Sequence, residues 1–217
     1  MATVQIIQGS FSITNPSWPR LQMWVPGQIF TSDDFSTAGD PIGRKTGAEL
    51  GGTPADFLGP AGSWDASSGE LVNTGNNGSV LLEALGANYE TSVKIKSLTV
   101  AGSTLVIARR TSVDYHANIS QLRVEVNNAG NTILRQQLDG TLSTLGTSPA
   151  AVSVGDTVTI RVAGTSVAAL VNGQIVVEAE THVTGAGYAG LATSAVNSGS
   201  VVDDLILKAL PTEGGGR

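Results

Sequence analysis

At 217 residues, with 41% apolar and 14% charged side chains, the chain is neither charged enough for disorder nor apolar enough for helical membrane spans. Twelve basic against eighteen acidic residues give a net charge of −6, which repels phosphate backbones and argues against nucleic acid as a partner. The absence of cysteine excludes a disulfide framework, a thiolate metal site and a cysteine nucleophile.

Residues 1–30 carry a single charge, Arg20, and two of the three tryptophans, Trp18 and Trp24, with Pro16, Pro19 and Pro26 between and around them. Such a segment reads either as an edge strand folded onto the domain or as an arm whose tryptophans anchor a partner. It lacks the basic region and continuous apolar run of a secretory signal, which predicts a cytosolic site of synthesis. From 37 to 69 the residues are mostly turn formers, so long surface loops crossing one end of the domain are expected, with strands no longer than about four or five residues.

Beyond these loops period-two runs recur to the end of the chain, and helical periodicity is nearly absent. "SVLLEAL" (79–85), "YETSVKIKSLTV" (89–100), "STLVIARRTSV" (103–113) and "ISQLRVEVN" (119–127) read as strands. In the last of these Leu122, Val124 and Val126 share one face while Arg123 and Glu125 share the other, the pattern of a half-buried antiparallel strand. The turn cluster "NNAGN" (127–131) joins it to "TILRQQL" as a hairpin. "DTVTIRVAG" (156–164), "SVAALVN" and "QIVVEAE" form a meander that turns at Gly164-Thr165 and at Asn172-Gly173. Asn-Gly admits positive φ at both central positions of a type I′ turn, whose twist matches the flanking strands. The tail "PTEGGGR" is an exposed end, so the chain divides into a segment 1–30, a β domain 31–210 and a tail 211–217.

"SDDF" (32–35), "GSW" (62–64), "YETSVKI" (89–95), "GDTVTIRVAGTSVAALVNGQIVVE" (155–178), "GYAGLATS" (187–194) and "VVDDLILKAL" (201–210) resemble, in order, the concanavalin A-like lectin/glucanase superfamily. Within it the likeness is to laminin-G-like jelly-roll domains. The resemblance implies an all-β fold, a two-sheet antiparallel jelly-roll sandwich in which the first and last strands lie side by side. Asp33, Asp34, Asp203 and Asp204 would then meet at one rim, and four crowded carboxylates need relief. As in some relatives, a structural Ca²⁺ held by Asp33, Asp34 and Asp203 would supply it; hydrogen bonds to backbone amides are the other solution.

The glucanases of the superfamily cut their substrate with a Glu-x-Asp-x-Glu strand, which sets two carboxylates about 5 to 5.5 Å apart on one face. That motif is absent. Glu178 and Glu180 share a face but lack the third carboxylate, and the two histidines, His116 and His182, sit in no nucleophile-activating arrangement. A non-enzymatic role is therefore expected. A sugar site needs an aromatic platform beside planar polar groups, and Asp114, Tyr115, His116 and Asn118, with Arg109 and Arg110 preceding them, are the candidates. Trp64 reads as core filler.

The superfamily also serves as attachments on bacteriophage tails and capsids. A domain typical of cell surfaces, without an export signal or cysteine, suits a virion protein, made in the host cytoplasm and released by lysis. The expectation is a minor tail or capsid-decorating protein. It would be anchored to other virion proteins through residues 1–30 and Trp18 and Trp24, would be homo-oligomeric, and would display a lectin-like domain to host cell-surface glycans. A secreted or surface lectin, working outside the cell, is the alternative, and a glycoside hydrolase a third reading.

Overall fold

The structure is a computed structural model. It describes residues 27–59, 64–67, 69–75, 78–84, 86–99, 101–114, 118–149, 152–194 and 200–210, and the backbone of 3–7, 10–14 and 22–23. Trp18, Trp24, Tyr115, His116 and the tail lie outside the described residues.

In chain order the strands are β1 (Thr3–Ile7), β2 (Ser10–Thr14), β3 (Gln22–Met23), β4 (Ile29–Asp33), β5 (Trp64–Ser67), β6 (Glu70–Asn73), β7 (Ser79–Glu83), β8 (Tyr89–Ser97) and β9 (Ser103–Arg110). They continue with β10 (Gln121–Asn127), β11 (Thr132–Leu138), β12 (Thr141–Ser148), β13 (Thr157–Ala163), β14 (Ser166–Val171), β15 (Gln174–Glu180), β16 (Tyr188–Thr193) and β17 (Val201–Ala209). There is no helix among the described residues. One sheet has six strands in the order β12-β11-β10-β9-β16-β7; the other runs β15-β14-β13-β8-β17-β6-β5, with β4 added against β17. The jelly-roll sandwich expected from the sequence is the observed fold. Residues 1–26 supply more than a single extended arm, since β1, β2 and β3 pair antiparallel in a small sheet of their own.

Alternation builds the core. In β8 Tyr89, Thr91, Val93 and Ile95 are buried while Glu90, Ser92 and Lys94 stand on the opposite face. Val93 and Ile95, with Val158, Ile160 and Val162 of β13 and Leu205 and Leu207 of β17, join Val106, Ala108, Leu122, Val124 and Leu134 of the other sheet in one cluster. Each such side chain, fully buried, contributes about 1.5–3 kcal/mol. Trp64 is core as read, 1% exposed, its indole N–H donating to the Gly78 carbonyl.

The two ends of the domain close it. Leu205 of β17 lies opposite Asp33 of β4 and Leu207 opposite Thr31. Along its other edge β17 pairs with β8, while its first residues, Val201 and Val202, face β6 instead of β4. The change of partner falls at Asp203 and Asp204, where the register with β8 shifts and Asp204 takes φ 51°. Aspartate tolerates this left-handed conformation better than a β-branched residue does, and the Asp203 carboxylate accepts the Asp204 N–H. That is the structural meaning of the paired aspartates. Gly27 and Gln28 also bond to Ala209 and Phe30 is buried, so the domain starts near residue 27 and not at 31.

Three strands escape the sequence pattern. β5 and β6 fall in or beside the stretch read as loops, and β12, "TLSTLGTS", is a largely exposed edge strand with too few apolar residues to alternate. In "GYAG", Gly190 has φ +149°, and a Cβ there would lie 2.1 Å from the Val80 carbonyl oxygen. Only glycine fits where β16 passes β7 this closely.

At the Asn172-Gly173 turn both residues have positive φ, 50° and 79°. The Asn172 carboxamide also accepts the Thr157 N–H and donates to Asp156, tying the hairpin to the loop before β13. Asn172→Ala is therefore expected to lower stability by about 1–2 kcal/mol in urea unfolding, through two lost hydrogen bonds and a strained φ. The Ser153 amide first, and Asn172 second, hold the Asp156 carboxyl below the usual carboxylate range. That contribution is complete above about pH 4 and is lost as pH falls through the folded value, so the variant loses less stability than the parent on acidification.

Candidate functional site

On the outer face of the six-stranded sheet lies a groove of about 450 Å³. Its floor is Leu105 and Ile107 of β9 and Ala192 of β16. Gln121 and Arg123 of β10 form one wall, Ser79, Thr193 and Ser194 the other, and Arg110 and Asp114 stand at one end. These floor residues, with Leu81, make a second apolar cluster separate from the core between the sheets. β9 is thus apolar on both faces from Leu105 to Ala108, a continuous apolar run without alternation.

A bulge in β9 decides which arginine reaches this groove. Strict alternation from Leu105 and Ile107 would put Arg109 on the same outer face. Instead Arg109 takes φ 51°, and the register against β16 slips between Tyr188 and Gly190. Arg109 turns inward, 2% exposed, and its guanidinium donates to the carbonyls of Gly164, Val183 and Ala87, each at 2.8 Å. Its backbone N–H donates to the Tyr89 hydroxyl at 2.6 Å. Burial pulls the Arg109 pKa down and pushes the Tyr89 hydroxyl well above its ordinary value. Arg109 is therefore corrected from a glycan contact to a brace between loops, both of its terminal nitrogens bonded to carbonyls. Arg110 takes the outward place, its guanidinium held by the Ser112 and Val113 carbonyls.

Of the other expected glycan residues, Asp114 is exposed at the groove, while Asn118 lies on an exposed turn and is not part of the lining. The wall residues Gln121 and Arg123 carried only the signal of an outward-facing polar alternation. In the structure the outward positions of β10 and β11 interlock. Gln121 donates to Gln137, and Glu125 is ion-paired with both Arg123 at 2.7 Å and Arg135 at 3.0 Å. Glu178 and Glu180 sit exposed on β15, an edge strand of the other sheet, with Glu178 bonded to Ser166.

The expected Ca²⁺ ligands separate. Asp203 pairs with Lys96 at 3.6 Å, and burial raises its carboxyl pKa; Asp204 pairs with Lys94. Asp33 and Asp34 stand instead with Glu49, the three able to bring carboxylate oxygens within 4.8 Å of one another. A carboxylate has about four acceptor positions, and Asp33 has filled them: Arg44 Nη1 and Nη2 at 2.9 and 3.1 Å, and the amides of Gly47 and Phe35 at 2.8 Å each. Arg44, itself 5.1 Å over the Phe57 ring, already supplies the positive charge. These residues do not fit a divalent cation.

No protein-family model matches the chain, and no curated protein does. Solved structures do. SCLam, a non-specific endo-β-1,3(4)-glucanase of family GH16, matches with TM-score 0.58 at 14% identity, over 87% of this chain and 94% of that one. The β-glucanase of Bacillus licheniformis matches at 0.55 and 12%, over 85% and 99%. The carbohydrate recognition domain of Emp47p matches at 0.51 and 14%, over 83% and 98%. At these identities the likeness shows the fold: this chain shares its jelly-roll sandwich with these glucanases and with the Emp47p carbohydrate recognition domain.

Proposed function

We propose that the chain is a non-catalytic carbohydrate-binding module whose ligand lies in the groove on the six-stranded sheet. The observation that carries this reading is the groove's composition: an aliphatic floor for the apolar face of a sugar ring, bordered by a carboxylate, an amide and two guanidiniums. The neighbours named as a carbohydrate recognition domain and as glucanases share the fold, which supports a glycan as the ligand class. A lectin-like binder thus stands ahead of a purely structural virion part. A module displayed on a virion and a secreted lectin would both use this groove.

The carboxylates around the groove support the non-catalytic part of this reading. A general acid needs a carboxyl shielded from water or crowded by another carboxylate. Glu125 is instead ion-paired with both Arg123 and Arg135, and Asp114 is open to solvent. A glycan array with the full chain is expected to give binding, and Asp114→Ala to weaken the hit about tenfold, the value of one charge-assisted hydrogen bond, with unchanged melting. An array without hits, or hits indifferent to Asp114→Ala, would remove the proposal.

A further inference from the structure

We infer that the groove selects neutral, hydroxyl-bearing sugars over acidic ones, and that Gln121 and Arg123 make the selection; this rests on the glycan-binding reading above. Gln121 and Gln137 are directly opposite on β10 and β11. The Gln137 amide N–H donates to the Gly140 carbonyl, so its oxygen must face Gln121 and accept from Gln121 Nε2 at 2.9 Å. Flipping the pair would set one acceptor against another. The orientation leaves Gln121 Oε1 as the spare acceptor, on a residue 2% exposed that lines the groove, and this oxygen is buried with no hydrogen-bond partner. Two residues along the same face, Arg123 spends Nη2 on Glu125 while its Nε–H, also buried, has none.

The site therefore offers an unmet acceptor and an unmet donor on residues two apart along one strand face, their backbones about 7 Å apart. Hydroxyls of one sugar ring answer both, because each hydroxyl donates and accepts. A carboxylate, sulfate or phosphate only accepts: it would satisfy Arg123 but set its charge against Gln121 Oε1 and near Glu125 and Asp114. An ammonium would satisfy Gln121 alone. Contact with either atom needs a groove side chain to give way, a rotamer change common on binding.

The test is affinity electrophoresis of the full chain through gels containing neutral polysaccharides (β-glucan, mannan, galactan, fructan) or acidic ones (polygalacturonate, alginate). Retardation by at least one neutral polymer and by no acidic one is expected. Gln121→Met, which keeps the volume and removes the acceptor, and Arg123→Lys, which keeps the charge and removes Nε–H, are each expected to weaken neutral binding tenfold or more. Equal or stronger retardation by the acidic polymers, or wild-type affinity in both variants, overturns the inference while the groove remains a glycan site. No retardation by either class overturns both. Should a variant fail to fold, the neutral-to-acidic comparison on the native chain still decides.

Discussion

Replacing Arg109 with methionine is expected to destabilise the domain by about 3 kcal/mol or more, a loss of roughly 10 °C in melting temperature for a domain of this size. The side chain is 2% exposed and its guanidinium joins three carbonyls on three separate segments: Ala87 before β8, Gly164 in the β13–β14 turn and Val183 after β15. Methionine retains the aliphatic length and the same strain at φ 51°, so the difference isolates the lost hydrogen bonds. Arg109→Lys is expected to recover little, since a point charge cannot serve three fixed carbonyls as a planar fork does. A variant that melts like the parent but binds glycans poorly would return Arg109 to the ligand.

Asp33→Ala is expected to cost about 3–5 kcal/mol, because it strands the Arg44 guanidinium and two amide donors without their acceptor. Arg44→Ala is expected to do comparable harm by leaving a 1% exposed carboxylate uncompensated. Asp33→Leu combined with Arg44→Leu is expected to be milder than the sum, the sign of direct coupling. Chelation of divalent ions in the parent is expected to leave the melting temperature unmoved. A rise on adding calcium would show that Asp34 and Glu49 collect a cation beside a guanidinium after all.

How far the sequence could be read depended on how local each signal was. Asn172-Gly173 and the alternations of β8, β10 and β13 announce themselves because turn chemistry and pleat period act within a few residues. Asp33 was read as one of four aspartates crowding a rim, whereas its partner is Arg44, which comes from a loop whose path no pattern predicts. Arg109 and Arg110 exchange faces because one bulge shifts the period, and nothing in "IARRTS" marks it. Arg123 and Glu125 were legible as an outward face; that this face, with Gln121, borders a groove follows only from the order of strands in the sheet. The double apolarity of β9 was the missed clue, since a strand apolar on both sides implies a second covered surface.

Among the described residues β17 is the last strand in chain order, yet it is an interior strand, flanked by β8 on one edge and by β6 and β4 on the other. Until β17 has been made and has joined the sheet, the eight-stranded layer has a missing row, with the hydrogen-bonding edges of β4, β6 and β8 bare. The domain is therefore completed by the insertion of its final ribbon into a waiting slot. Until that moment a nascent chain is open to strands from its neighbours.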